Sequence, residues 1–178
     1  MKTNLFFALF FVVFLAAPLW AKGPNSPSTS SELTDTEQAN ILYLFEEEKL
    51  AHDIYVQMHT SYGAYIFNNI SDSEQRHMDA VAKLIFKYEL DDTVVNNGFG
   101  IFTNEDIRAE YDRLLDKGNL NLTSALEVGV EIEKMDIADI ERMLGDTDKV
   151  DIEKVLNNLL DGSYNHLDAF ETHLGITQ

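Results

Sequence analysis

The apolar residues beyond Thr34 recur three and four positions apart, which is the spacing of amphipathic helices, and strand-like alternation is almost absent. Proline, which interrupts helices, does not occur after residue 27. Capping residues and glycine-containing turns divide the chain into five predicted helices, with Gly162 as a kink or break in the last. Their approximate ranges are 36–61, 71–90, 104–117, 123–144 and 147–174.

Four of the five predicted helices are long enough to form a bundle. At a rise of 1.5 Å per residue, the first and fourth each span roughly 30–40 Å, which suits an antiparallel bundle. The second is followed by a loop over 91–102 that contains Asn96-Asn97-Gly98 and Gly100. The predicted fold is therefore all-α: a four-helix bundle with an extra short helix in the long crossover between bundle helices 2 and 3.

The amino-terminal segment has the layout of a secretory signal peptide. Lys2 precedes an apolar run over 5–20, and Ala21 supplies a small residue for cleavage. The alternative is a membrane anchor, but these 16 residues fall short of the about 20 that a spanning helix needs. Residues 1–21 are thus predicted to be a signal peptide of an exported protein, periplasmic or secreted. Residues 22–33 are predicted to be a flexible linker and 34–178 a helical domain.

The composition limits the chemistry available to the domain. Thirteen Lys and Arg stand against 31 Asp and Glu, a net charge of −18, which argues against binding to nucleic acid or to anionic membranes. The absence of cysteine excludes disulfides, thiolate metal sites and thiol nucleophiles. Calcium loops, phosphate-binding glycine loops and serine-nucleophile motifs do not occur either. Any bound metal must therefore be held by carboxylate, imidazole, amide or water.

Some acidic residues occupy positions where a helix would present its apolar stripe to a core. On the first helix Glu48 comes four residues after Leu44 and seven before Tyr55, in line with the stripe. Glu46 and Glu47 flank it on other faces. The sequence therefore indicates that Glu48 points inward.

The other long helices carry inward-facing polar residues as well. On the second helix Glu74 and His77, three positions apart, continue directly into its apolar stripe. On the fourth, Glu133 interrupts the apolar series and Asp136 follows one turn later. His166 lies on the inward face of the last helix. Each of the four long helices thus contributes to one predicted polar cluster.

Two divalent metal ions would compensate such a cluster. Unpaired buried carboxylates cost several kcal/mol each. Four carboxylates supply a charge that matches two doubly charged ions, and oxygen donors with two imidazoles favour iron or manganese. The predicted metal ligands are Glu48, Glu74, His77, Glu133, Asp136 and His166. Ordinary pairings remain open as alternatives: Glu48 with His52, Glu74 with Ser71 in a capping box, Glu133 and Asp136 with Arg108 or Arg113, and His166 with a buried neighbour.

These motifs resemble those of the ferritin-like superfamily. The stretch from Glu48 to Tyr55 is similar to its first-helix Glu-x-x-Ala-x-x-x-Tyr, and residues 73–77 to its second-helix Ser-Glu-x-x-His. More closely, the chain resembles the ferritin-like family called domain of unknown function 2202 (DUF2202). The segments that carry this resemblance are 46–55, 62–81, 124–141 and 162–170. The resemblance implies a ferritin-like bundle with a di-iron carboxylate centre.

One position departs from the ferritin-like pattern. Ser163 stands three residues before His166, where ferritin-like proteins have Glu, and Asp136 could replace the missing carboxylate from the neighbouring helix. The expected function is redox chemistry on oxygen, peroxide or ferrous iron at a di-iron or iron–manganese centre. The alternative is a non-catalytic exported module that binds a partner or carries metal at a degenerate site. No membrane contact is expected after signal cleavage, and a homodimer is compatible with the sequence.

Overall fold

The structure, a computed structural model, describes residues 32–176. The predicted signal peptide and most of the predicted linker lie outside the described residues. Within 32–176 the chain forms helices and no strand, which confirms the predicted all-α helical bundle. The elements are α1 (Asp35–Tyr62), α2 (Tyr65–Lys87), a 3₁₀ helix (Asp92–Asn96), α3 (Glu105–Gly118), α4 (Leu122–Gly145) and α5 (Val150–Leu174).

The four long helices pack as two hairpins. α1 lies against α2 and α4 lies against α5, and the hairpins meet where α1 contacts α4 and α2 contacts α5. The short helix α3 packs on α1 and α4, and the 3₁₀ helix packs on α1 and α2. The connection between the second and third bundle helices therefore carries its own helix, as the sequence predicts.

The start and the end of α1 follow from local chemistry. At its start the Thr34 hydroxyl accepts a hydrogen bond from the Glu37 N–H at 3.1 Å, and the Glu37 carboxylate accepts one from the Thr34 N–H at 2.8 Å. At its end Gly63 adopts the left-handed conformation with φ of +65° and donates to the His59 carbonyl at 2.8 Å. Both signals are readable in the sequence, so these boundaries lie close to the predicted ones.

The start of α2 differs from the prediction. The helix begins at Tyr65 rather than near Ser71, because Ile66, Phe67 and Ile70 already bury an apolar face. Ser71 is itself buried inside the helix, where its hydroxyl donates to the Asn68 carbonyl at 2.9 Å. The capping box between Ser71 and Glu74 is therefore wrong, as is the predicted start at residue 71.

The interior contains two apolar clusters with polar residues between them. One cluster includes Ile54, Tyr55, Phe67, Ile132 and Phe170. The other includes Leu44, Phe45, Ile85, Ile140 and Leu159. On each long helix the inward-facing polar residues lie, in sequence, between the stretches that enter the two clusters. The cluster of polar residues is thus held in the middle of the bundle, remote from both of its ends.

Two further observations concern the chain outside this polar layer. Leu33, the last residue of the predicted linker, packs against the second apolar cluster. Among residues 32–176, no helix combines the length and the hydrophobicity that crossing a membrane requires.

Candidate metal centre

The buried polar layer brings together five of the six predicted ligands. All five side chains are at most 9% exposed, although each is ionisable. They form two groups, each of which could hold a metal ion because its donor atoms lie within 4.8 Å of one another. One group is Glu48, Glu74 and His77; the other is Glu74, Glu133 and His166.

Glu74 belongs to both groups and lies between the two imidazoles. Its Oε2 is 2.8 Å from the Nδ1 of His77, and its Oε1 is 2.8 Å from the Nδ1 of His166. The two rings are stacked with centroids 5.6 Å apart. A carboxylate that offers one oxygen to each of two donor sets is arranged as a bridge between two cations.

The remaining carboxylates complete the two groups. Glu48 Oε2 lies 3.1 Å from the Nδ1 of His77, and Glu133 Oε2 lies 3.5 Å from the Nδ1 of His166. In both histidines it is therefore Nδ1 that faces the acids. The centre has approximate twofold character, with one terminal Glu and one His on either side of Glu74.

Several donor atoms of this centre have no hydrogen-bond partner among the described residues, although they are buried. They include Glu48 Oε1, Glu74 Oε1 and His166 Nδ1. The last two are 2.8 Å apart, yet their geometry is not that of a hydrogen bond. Buried polar atoms are rarely left unpaired. Because the donor atoms of each group lie within 4.8 Å of one another, a shared cation could satisfy them.

The electrostatics of the metal-free cluster show how strongly it needs positive charge. Burial raises the pKa of Glu48 to about 8 and that of Glu133 to about 7, and the nearby charge of Glu74 adds to both increases. Burial alone would raise the pKa of Glu74, but the hydrogen bonds and charges of His166 and His77 outweigh burial and lower the pKa to about 2. Without metal, bound protons therefore compensate the negative charge of the buried cluster.

The histidines bind those protons tightly. Burial lowers the pKa of His77, but the Glu48 and Glu74 carboxylates outweigh it and raise the pKa to about 11. The pKa of His166 is raised to about 9 for the same reason, with Glu133 and Glu74 as its partners. Since an imidazolium cannot bind a metal through its protonated nitrogen, metal ions would displace these protons.

Residues 37–176 match the model of a protein family, the uncharacterized protein domain DUF2202. The chain belongs to the DUF2202 family. This confirms the family resemblance that the sequence motifs indicate.

One relative of this DUF2202 domain has a known structure. The uncharacterized protein MJ0754 of Methanocaldococcus jannaschii is 42% identical over 138 residues, which are 78% of this chain and 75% of that protein. The crystal structure of the hypothetical protein MJ0754 from Methanococcus jannaschii is similar with a TM-score of 0.78 at 39% identity, covering 87% of this chain and 86% of that chain.

Asp136, the sixth predicted ligand, lies beside the candidate centre but belongs to neither group. Its carboxylate accepts a hydrogen bond from the Ser163 hydroxyl, and its Oδ1 has no partner among the described residues. Burial and the charges of Glu48 and Glu133 raise the pKa of Asp136 well above its usual range. Asp136 is thus held adjacent to the centre by the serine that occupies the ferritin-like glutamate position.

Among residues 32–176 the ordinary pairings of the glutamates and Asp136 do not form, whereas His166 does lie against buried neighbours, Glu74 and Glu133. His52 Nδ1 lies 2.8 Å from Asp53 and does not pair with Glu48. The arginines of α3 pair with exposed or half-buried acids and leave Glu133 and Asp136 aside: Arg108 with Asp112, and Arg113 with Glu110 and Glu131.

Two neighbours of the centre were not assigned to it from the sequence. The Tyr55 hydroxyl donates to Glu133 Oε1 at 2.6 Å, while its ring packs against Phe170. Gly162 does not break α5; a Cβ there would lie 2.6 Å from the Nε2 of His77. The signal for Tyr55 is its position two turns after Glu48 on the same helix, whereas nothing in the sequence reveals the contact between Gly162 and His77.

Proposed function

We propose that this DUF2202 domain binds two divalent metal ions, iron or iron with manganese, and uses them for redox chemistry on oxygen, peroxide or ferrous iron. The observation that carries the proposal is the position of Glu74 between His77 and His166, with one carboxylate oxygen 2.8 Å from each Nδ1. The resemblance to ferritin-like proteins supports the same assignment, because their bundles hold two metals with one Glu-x-x-His per half-site.

Each metal would have its own terminal ligands and share the bridge. Glu48 and His77 would hold one ion, Glu133 and His166 the other, with Glu74 between them. The three glutamates offset most of the charge of two doubly charged ions. Carboxylates with imidazoles suit iron and manganese, and the chain has no thiolate to select softer metals. When bound, the metals would supply the electron transfer.

The chain contributes positioning and a water-poor environment. The hydrogen bond from Tyr55 fixes one oxygen of Glu133 and leaves Oε2 facing His166. The apolar clusters on either side limit the access of water to the centre. Such interactions orient ligands and tune the metal in other carboxylate–histidine centres.

A second candidate function is a non-catalytic module that carries a single metal. Ser163 favours this function because it stands where ferritin-like proteins have a glutamate. It supplies no carboxylate, and its hydroxyl donates a hydrogen bond to Asp136. The two half-sites are therefore unequal in their surroundings, and one of them would bind metal more weakly than the other.

Metal uptake by a Glu74→Gln variant tests the proposal. The change keeps the size of the side chain but removes the charge and one bridging oxygen, so we expect the loss of both metals. Asp72→Asn is the matched control, since Asp72 is an exposed acid on the same helix. Anaerobic titration with Fe²⁺ measures the stoichiometry, and oxygen uptake after loading distinguishes a redox centre from a carrier.

The outcomes separate the two candidates. A loss of two irons per chain in Glu74→Gln, with oxygen consumption by the loaded wild type, supports the redox centre, whereas a loss of one iron without oxygen consumption supports the carrier. Iron binding by Glu74→Gln that equals the wild type would refute both, because Glu74 contributes to both donor groups.

Export is a separate proposal that rests on the sequence of residues 1–21 alone. Amino-terminal sequencing of the protein from its native cells tests it. Cleavage near Ala21 is expected, and a mature chain that retains the apolar run would contradict export by this route.

A further inference from the structure

Glu47 of α1 is a buried carboxylate whose burial no hydrogen bond among the described residues compensates. Its side chain is only 3% exposed, and neither carboxylate oxygen has a hydrogen-bond partner among the described residues. The two adjacent glutamates each have at least one partner: Glu46 accepts hydrogen bonds from the backbone of Thr103 and Asn104, and Glu48 Oε2 contacts His77. Since a buried carboxylate without partners is costly, Glu47 requires a ligand or another source of compensation.

The surroundings of Glu47 across the α1–α4 interface are acidic. Asp136 and Asp139 lie one turn apart on α4, and both are close enough for their charges to act on Glu47. Burial and the charges of both aspartates raise the pKa of Glu47 well above its usual range. Asp136 is 5% exposed and also has an unpartnered oxygen, Oδ1. Two independent buried carboxylates thus present free oxygens in the same region.

The available positive charge does not balance these acids. Arg142 lies near Glu47 and lowers its pKa, but the guanidinium pairs at 2.9 Å with Asp139 and is shared with Asp146 at 3.4 Å. Three carboxylates against one guanidinium leave a net charge that one doubly charged ion would neutralise.

We propose that Glu47, Asp136 and Asp139 form a further cation site between α1 and α4, which takes a hard divalent ion such as Mn²⁺ or Fe²⁺. An all-carboxylate donor set selects hard cations. The oxygens of these three residues are not among the groups whose donor atoms all lie within 4.8 Å of one another, so water would have to complete the coordination of the ion.

A role of this site in loading the proposed centre rests on the proposed function. The side chain of Asp139 is 29% exposed, Glu47 is buried, and the charges of Glu48 and Glu133 act on Asp136. The three carboxylates therefore range from a half-exposed one to one beside the proposed centre. Binding at this site does not itself require an occupied centre.

Titration with Mn²⁺, monitored by the electron paramagnetic resonance of the free ion, tests the site. Glu47→Gln and Asp139→Asn should each bind one Mn²⁺ fewer per chain than the wild type and load the remaining ions more slowly. Glu127→Gln is the matched control, because Glu127 is an exposed acid on α4 and its loss should change neither quantity. Circular dichroism verifies the fold of each variant, and Asp139→Asn keeps the test available if Glu47→Gln does not fold.

The two proposals fail separately. Loss of one ion in Glu47→Gln together with retention of one ion in Glu74→Gln supports the further site. If folded Glu47→Gln and Asp139→Asn both match the wild type in stoichiometry and loading rate, the further site is overturned, whatever happens at Glu74. If Glu74→Gln binds as many ions as the wild type, the centre fails instead, and a loss confined to Glu47→Gln and Asp139→Asn still supports this site.

Discussion

Replacing Gly162 by Ala should separate metal binding from folding. Gly162 lies within α5, and a Cβ added there would meet the His77 ring at 2.6 Å from Nε2 and 2.7 Å from Cε1. Ordinary contact begins at 3.4 Å, so the ring must move by about 0.8 Å, the difference between 3.4 and 2.6 Å. That displacement shifts Nδ1 away from Glu48 and Glu74, because both nitrogens belong to one rigid ring.

The effect on folding should be smaller than the effect on binding. Alanine is more favourable than glycine inside a helix by about 1 kcal/mol, which offsets much of the cost of moving the ring. We therefore expect the metal-free Gly162→Ala variant to unfold within about 1 kcal/mol of the wild type. Disturbing the groups that orient a metal ligand typically costs about 10- to 100-fold in affinity, so metal binding should weaken by that factor.

Two assays and one control complete the experiment. Urea unfolding of the metal-free proteins measures stability, and calorimetric titration with Mn²⁺ measures affinity. Gly145→Ala is the control, since a Cβ at this helical glycine has no neighbour within 4 Å. Wild-type affinity in a folded Gly162→Ala protein would show that His77 is not a ligand in the position described.

Three further predictions concern the cap of α1, the tyrosine of the centre and its protons. Thr34→Ala removes the capping box and should lower the free energy of unfolding by about 1 kcal/mol in urea denaturation, with little change in metal affinity. Tyr55→Phe deprives Glu133 of its donor and should weaken Mn²⁺ binding about 10-fold by calorimetry; an unchanged affinity would contradict the positioning role. Because the pKa values of His77 and His166 are raised to about 11 and 9, both imidazoles are protonated at pH 7 without metal. Metal binding should therefore release protons and strengthen as pH rises from 6 to 9, and calorimetry in buffers of different ionisation enthalpy should detect that release.

The sequence predicted the buried polar cluster because burial follows helical periodicity. Glu48, Glu74, Glu133 and the two histidines lie in register with apolar residues, and a side chain in such a position must face the interior once the helix packs. The same reasoning located α3 within the crossover. What the periodicity conveys is the direction of a side chain relative to its own helix.

The features that the sequence did not reveal depend on contacts between helices. Ser71 resembles a helix cap, but the apolar face that begins at Ile66 extends α2 and encloses it. Asp136 shares the inward face of α4, yet its neighbour Ser163 on α5 determines that it bonds to a hydroxyl. Gly162 appears as a helix breaker unless the position of His77 on the facing helix is known.

Glu46, Glu47 and Glu48 show why the composition alone does not predict which acids of α1 are buried. Most acidic residues of so negative a chain are expected in solvent, but these three consecutive ones are all buried, since α1 is covered by α2, α3 and α4 together. Each of them faces a different element. Glu46 accepts from the backbone at the start of α3, where a helix carries partial positive charge, and Glu48 meets the protonated His77.

The groups that compensate Glu46 and Glu48 indicate what Glu47 still requires. Glu46 and Glu48 are buried beside positive charge that the protein itself provides, and neither is left with both oxygens unpaired. Glu47 faces Asp136 and Asp139, so its surroundings add negative charge instead. The same helix turn that anchors the crossover and places Glu48 beside His77 therefore leaves Glu47 near an Arg142 guanidinium that already pairs with Asp139. A proton or an external cation would complete its compensation. A proton would satisfy a single oxygen of Glu47, whereas a hydrated cation would satisfy Glu47 and the free oxygen of Asp136 together.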